Sequence, residues 1–238
     1  MKTLQHKRGL AAVLAALNPV LAAGEIGVET DTSRIKIGDG TTAWNSLAYV
    51  FPATSSVATY TALSLADNQP SASLDIYPRG EANNIGMAPG SGQAYFSFFT
   101  PQQSITVSSI TMSSGNIAGV SLTLARMGLY TFNETTATLV ARTASDTSLF
   151  TTVNTTYQRS FSTAGGWPAT YTMTAGARYG VAVLSLGTTL PNYAGKTVAV
   201  GIASLTPRLA GNVASQTDLP ATATGFGSNQ GNLFARLS

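Results

Sequence analysis

Four carboxylates in this chain, Asp75, Glu81, Glu134 and Asp146, are of the type that could serve as an acid and base pair in cleaving a glycosidic bond. That chemistry needs only two such groups at a fixed separation. Here each lies among turn-forming residues, where a carboxylate more often solubilises a loop. The single histidine, His6, sits in a cationic opening with Lys2, Lys7 and Arg8. No Gly-x-Ser-x-Gly elbow exists for it to serve. With no cysteine, thiolate metal sites are excluded, and with one histidine no zinc site is expected. No glycine-rich loop opens a helix to cradle phosphate, and no D-x-D-x-D run offers calcium ligands. No catalytic, cofactor or metal residues are therefore expected, and no enzyme activity. Three aromatics beside turns suit another task. Tyr77 before Pro78, Trp167 before Pro168 and Tyr193 after Asn192 could each lay a flat ring on a sugar face, although such rings mostly fill cores.

Composition agrees with a durable β-rich protein. Only 10% of the 238 residues are charged, while 44% are hydrophobic. A charge-rich disordered chain is thus excluded, and one or two domains are expected. The net charge of +3 is a thin excess of thirteen cations over ten anions. Apart from the opening cluster these cations are scattered, so no nucleic-acid partner is expected. No stretch approaches the length of a membrane span, and no membrane insertion is expected.

The opening residues carry the clearest pattern. Leu10, Val13, Leu14 and Leu17 fall at i, i+3, i+4 and i+7, and predict a helix over Gly9 to Leu17 with one apolar stripe. Thr3 is its plausible N-cap and Asn18-Pro19 its stop. The same run could pass for a secretory signal, but its eight apolar residues end at Asn18-Pro19, so a helix is expected. A helix this short is marginal alone and needs a cover. Ile26 and Val28, then Ile35 and Ile37, alternate with Gly27, Glu29 and Lys36 around the turn Asp31-Thr32-Ser33, which predicts a β-hairpin with one apolar face. Glu25 and Glu29 are expected to face Lys36 and Arg34 across it. Trp44, Leu47 and Tyr49 would cap the small core.

This pattern resembles a known module. Lys7-Arg8-Gly9, then Asn18 through Thr32, then Ile35-Lys36-Ile37-Gly38-Asp39-Gly40-Thr41-Thr42-Ala43-Trp44-Asn45-Ser46-Leu47, are similar to the N-terminal domain of the phage major tropism determinant and of many tail-fibre and head-fibre proteins. The resemblance covers about fifty residues. It implies a virion protein, a homotrimer contacting other virion proteins, with residues 1–52 as the trimerisation or anchor module. Leu10, Val13, Leu14, Leu17, Ile26, Val28, Ile35, Ile37 and Trp44 are the residues expected to carry that role. Val13, Leu14 and Leu17 make this helix more apolar than the family's usual pattern.

Residues 53–69 read as a linker, with a candidate strand at Tyr60 to Leu65. From residue 70 to 238 the chain reads as strands. Candidates are Ser73 to Tyr77, Ala94 to Phe99, Ser104 to Met112 with a bulge, Val120 to Ala125, Gly128 to Phe132, Ala137 to Ala141, Tyr171 to Met173, Tyr179 to Leu186, Val198 to Ala203 and Leu233 to Leu237. Tyr95, Phe96, Phe98 and Phe99 are expected in the core, and Arg79, Arg159 and Arg208 on the solvated surface. The spacing predicts a mainly β fold, a jelly-roll-like antiparallel β-sandwich behind the helix and hairpin. Gly128 to Phe132, Ala137 to Ala141 and Thr174 to Val183 resemble, more loosely, the lectin-like C-terminal sandwich of phage fibre and minor tail proteins. That resemblance implies a carbohydrate-binding sandwich, for which Tyr77, Trp167 and Tyr193, the rings beside turns, are the candidate contacts with a host-surface glycan. The expected function is a structural virion protein, adhesive toward host glycan. The alternatives are a capsid decoration or head-fibre protein without receptor role, and a polysaccharide-degrading tail enzyme.

Overall fold

A computed structural model describes residues 6–50, 73–87, 89–228 and 231–238. The chain divides into two compact units, Met1–Leu63 and Ser64–Ser238. Thr3, the linker 53–69 and the candidate strand at Tyr60 to Leu65 lie outside the described residues.

The first unit begins with strand β1 (Lys7–Gly9), helix α1 (Ala11–Leu17), β2 (Ile26–Glu29) and β3 (Ile35–Ile37). β1 pairs parallel with β2, and β2 pairs antiparallel with β3. The helix is thus the crossover of a small β-α-β unit. Its N-terminal residue is Leu10, which has no side-chain cap to offer. The hairpin turn supplies one instead, because the Ala11 N–H donates to Asp31 Oδ1 at 2.8 Å. Asn18, in the left-handed region at φ 43°, ends the helix, and its Oδ1 accepts from the Asn45 N–H at 2.8 Å. A single 3-10 turn over Trp44–Ser46 then closes the unit.

The second unit is mainly β with antiparallel pairing, the sandwich expected from the strand pattern. Its strands are β4 (Leu74–Asp75), β5 (Asn83–Met87), β6 (Ala94–Phe99), β7 (Ile105–Val107), β8 (Ser109–Ser113), β9 (Val120–Phe132), β10 (Thr136–Arg142), β11 (Thr156–Ser160), β12 (Tyr171–Met173), β13 (Tyr179–Thr189), β14 (Tyr193–Thr197), β15 (Ala210–Val213), β16 (Thr222–Thr224), β17 (Gly231–Leu233) and β18 (Arg236–Leu237). The largest sheet runs β15-β6-β13-β9-β10-β16; smaller sheets run β11-β8-β18-β4, β17-β14-β5 and β12-β7.

Both faces of the six-stranded sheet are covered, so β6 is buried at every position. Tyr95 and Phe99 join Met127, Leu129, Val181 and Val183 in a core shared with Ile110, Met112, Tyr193 and Leu237 of the smaller sheets. Phe96 and Phe98 project to the other face, beside Tyr130, Phe132 and Leu184. There the returning segment 219–226 covers them. Phe226 meets Phe96, Phe98 and Phe132 edge-on, with centroids at 5.2, 5.3 and 5.7 Å. Tyr130 Oη donates to the Pro220 carbonyl at 3.0 Å.

Several strand expectations need correction. Val198 to Ala203 is not a strand; Val200–Ala203 forms one helical turn. Ser104 to Met112 is two strands split at Ser108, because β7 pairs with β12 while β8 pairs with β11 and β18. The two out-of-phase apolar pairs mark that change of partner. The candidate at Leu233 to Leu237 is likewise divided between β17 and β18.

Candidate functional site

In the first unit the buried side of the hairpin is not the apolar one. The cluster there is Leu14, Leu21 and Trp44, with Leu47 packed against it. Against it the sheet presents glycines. A Cβ on Gly27 would stand 2.3 Å from Trp44 Cζ3, and one on Gly38 would stand 2.3 Å from the Ala22 carbonyl oxygen. Lys36 shares that side and is buried. Its ammonium donates to the Trp44 carbonyl at 2.6 Å and lies 4.3 Å from the Tyr49 ring centroid. Burial lowers its pKa, and the charge of Glu29 opposes that fall. Glu29 is also buried and accepts from Tyr49 Oη at 2.6 Å and from the Thr32 hydroxyl.

The expected cross-strand charge pairs therefore hold only in part. Glu29 lies opposite Arg34, its N–H donating to the Arg34 carbonyl at 2.9 Å. The partner of Lys36 is Gly27, not a glutamate. Of the nine residues expected to carry the trimer or anchor role, only Leu14 and Trp44 belong to the buried cluster. Ile26, Val28, Ile35 and Ile37 project from the opposite side of the sheet, pairing as Ile26 with Ile37 and Val28 with Ile35. Ile26, Val28 and Ile35 are half-buried, and Ile37 is exposed at 47%. On the helix, Leu10, Val13 and Leu17 are also exposed, Leu17 at 68%. Among the described residues the unit thus carries two separate apolar surfaces, an exposed one on the helix and a partly exposed one on the far face of the sheet.

In the second unit the four candidate carboxylates each hold a cation. Asp75, with no exposed side-chain surface, accepts from Arg236 Nε at 2.6 Å and from Arg79 Nε at 2.9 Å. Asp146 accepts from Arg159 Nε at 2.7 Å. Glu134 faces Arg178 Nε at 2.9 Å and also accepts from the Arg208 N–H. Glu81 meets Lys196 at 3.1 Å on the surface. None is an uncommitted acid or base. Of the arginines expected on the solvated surface, Arg79 is exposed and Arg159 and Arg208 are half-buried, and each is also bonded: Arg79 and Arg159 to carboxylates, Arg208 to Glu134 and to the Ala210 carbonyl at 3.4 Å. The aromatic-strand expectation holds for all four of its rings.

The three candidate sugar-stacking rings do not form one site. Tyr193 is wholly buried, with Oη 2.7 Å from Ser185 Oγ and its ring edge-on to Phe150. It has no face left for a ligand, a correction that follows from its place on central strand β14. Tyr77 is half-buried, donates to the Asn232 carbonyl at 3.2 Å and packs edge-on against Phe234. Burial raises its pKa. Trp167 lies on the other face of the six-stranded sheet, among the cluster around Phe96. It is half-buried, in a loop whose neighbours are exposed.

Sequence reasoning missed what surrounds Trp167. The Arg142 guanidinium lies 5.2 Å from its ring centroid. Arg142 and Arg126 both donate through Nη1 to one oxygen, Asp218 Oδ2, Arg142 at 3.1 Å. These residues are far apart in sequence and meet because β9 and β10 are neighbours while the returning segment brings Asp218 over them. Nothing in the spacing of Arg126, Arg142, Trp167 and Asp218 announces that meeting.

No curated protein matches this chain at a significant level. Residues 4–42 do match a family model, the major tropism determinant N-terminal domain. The matched range takes in β1, α1, the hairpin and the Asp39 turn, and it points to a phage protein of the tropism-determining or fibre type.

Proposed function

We propose that this chain is a trimeric virion protein of a tailed phage, in which the first unit assembles three copies and the sandwich recognises a host-surface glycan. The observation that carries the trimer is the pair of open apolar surfaces on the first unit. Leu10, Val13 and Leu17 line one, and Ile26, Val28, Ile35 and Ile37 the other. In a two-fold dimer one patch meets its own copy; a closed ring seats one patch of each copy on a different patch of the next. Two unlike patches on one small unit permit such head-to-tail contacts, which form a ring when the rotation between copies closes. Among the described residues the buried cluster holds three apolar side chains, a small core for each unit, so shared burial has a thermodynamic reason.

The sandwich acts by binding in this reading. Its candidate carboxylates are engaged by cations, which favours recognition over bond cleavage. The family match at residues 4–42 supports a virion location.

The ring is tested with two single-surface variants of the full chain. Val13→Glu and Ile35→Glu should each give monomers by light scattering. Mixed in equal amounts they should give a heterodimer, because each retains the surface the other has lost. A mixture that remains monomeric while both variants stay folded by circular dichroism would refute a ring of unlike contacts. Binding of the full chain to a glycan array tests the adhesive half; no binding to any array member, nor to bacterial cells, would oppose it.

A further inference from the structure

We infer that Arg126, Arg142 and Trp167 form a subsite for an anionic sugar, one bearing a carboxylate or phosphate. The inference rests on the glycan-recognition reading and names the chemistry of the ligand.

Charge is the first argument. Two guanidinium groups converge on one carboxylate, and both reach the same oxygen of Asp218. The other oxygen, Oδ1, accepts from the Leu219 N–H at 2.7 Å. One positive charge is therefore left over. It lies at a partly screened place, since the Arg126 and Arg142 side chains are only 13% and 22% exposed. Attraction for an anion is stronger there than at an open surface.

Unused donors are the second argument. The buried Nε–H of Arg126 has no acceptor among the described residues. Arg142 donates to Asp218 through Nη1 alone. A buried donor without a partner carries a desolvation cost that an added acceptor removes. A planar guanidinium with a free edge offers the paired donors that suit a carboxylate or phosphate.

Shape is the third. Gly165 and Gly166 take φ of +80° and +83°, a conformation that bends the loop into Trp167. A Cβ at Gly165 would lie 3.8 Å from Arg142 Nη2 and 3.7 Å from the Trp167 ring, so a larger side chain would crowd that edge. The indole is a flat apolar wall beside the charge. A sugar ring carrying an acidic group presents both complementary parts, an apolar face and an oxyanion.

The role of Asp218 makes the reading testable. If it only neutralises the arginines, it competes with the ligand for their donors. Asp218→Asn should then strengthen anion binding although it weakens the local fold.

The test is calorimetric titration of the full chain with tetragalacturonate, with neutral galactotetraose as control and a glycerol phosphate tetramer as the second anion. The expected results are binding of at least one anion, none of the neutral probe, and weakening of about tenfold or more in Arg142→Gln and Trp167→Ala. Arg142→Lys, which keeps the charge but loses the fork, should recover only part of the affinity. Asp218→Asn should bind several-fold more tightly. The preferred anion decides between carboxylate and phosphate. Absence of binding to either anion, equal binding of the neutral probe, or equal weakening in Asp218→Asn and Arg142→Gln would overturn the subsite. Should Arg142→Gln still adhere to bacterial cells as the parent does, the subsite is wrong and the adhesive reading stands. Should the parent itself bind neither cells nor any glycan, the adhesive reading fails.

Discussion

Replacing Gly27 by alanine adds one methyl group at the most crowded point of the first unit. Its Cβ would stand 2.3 Å from Trp44 Cζ3, 2.9 Å from Cη2 and 3.0 Å from Leu21 Cδ1. Carbon atoms pack best at about 3.5–4.0 Å. The indole must therefore retreat by more than about 1 Å. Trp44 and Leu21 are both fully buried, so no slack exists to absorb the movement. Overpacking of this kind costs about 1–3 kcal/mol, and a cluster of three large side chains places this case toward the upper end. The chain has two tryptophans, Trp44 in the first unit and Trp167 in the second. In a Trp167→Phe background, urea unfolding followed by fluorescence therefore reports on the first unit alone. For so small a unit an m-value of about 1 kcal/mol/M converts the cost into a midpoint lower by about 1–3 M. Protein concentration must be held fixed, because assembly contributes to stability by mass action. Trp44→Leu in the same background frees the space, and the alanine penalty should shrink there by more than additivity allows; that arm is followed by circular dichroism. An unchanged midpoint together with an unchanged Trp44 emission maximum would refute the packing argument.

Other consequences follow from the charged clips. Asp75→Asn removes the buried carboxylate that the partly buried Arg236 and the exposed Arg79 share, and calorimetry should show the second unit destabilised by about 3 kcal/mol. A change under about 0.5 kcal/mol would mean that the triad contributes little. Asp39 is held below its ordinary value of 3.8 by the Thr42 hydroxyl and by the Thr42 and Thr41 N–H groups. Its contribution is therefore fully present above that value and lost as the pH falls below it. Acid unfolding of the first unit should be steeper in the parent than in Asp39→Asn; parallel pH profiles would contradict this.

Much of the architecture was legible because it is local. The aromatic strand Ala94 to Phe99 announced itself by composition, and Tyr171–Met173 has the bounds that were expected. The helix and hairpin were readable from two periodicities. Which face of the hairpin is buried was not, because it depends on Trp44, which lies beyond the hairpin in the chain, choosing the glycine side. Pattern reasoning assigns burial to the apolar face. Here that face is kept open, and glycine makes room on the other for an indole. Strands such as Thr156–Ser160 escaped notice for a related reason. β11 pairs only with β8 at the edge of its sheet, so its alternation is polar on one side and weak on the other. The Arg126–Arg142–Asp218 cluster is wholly a product of tertiary meeting. The aromatic candidates failed in part because a turn beside a ring says nothing of the sheet that follows. Tyr193 opens a central strand, and its hydroxyl is satisfied by Ser185 inside the core.

The account depends most on copies of this chain burying the two open surfaces of the first unit. Light scattering of the full chain at micromolar concentration measures this directly. The predicted mass is three times that of the 24.5 kDa chain. A mass of one chain, with Trp44 still in a buried emission environment, would contradict the account.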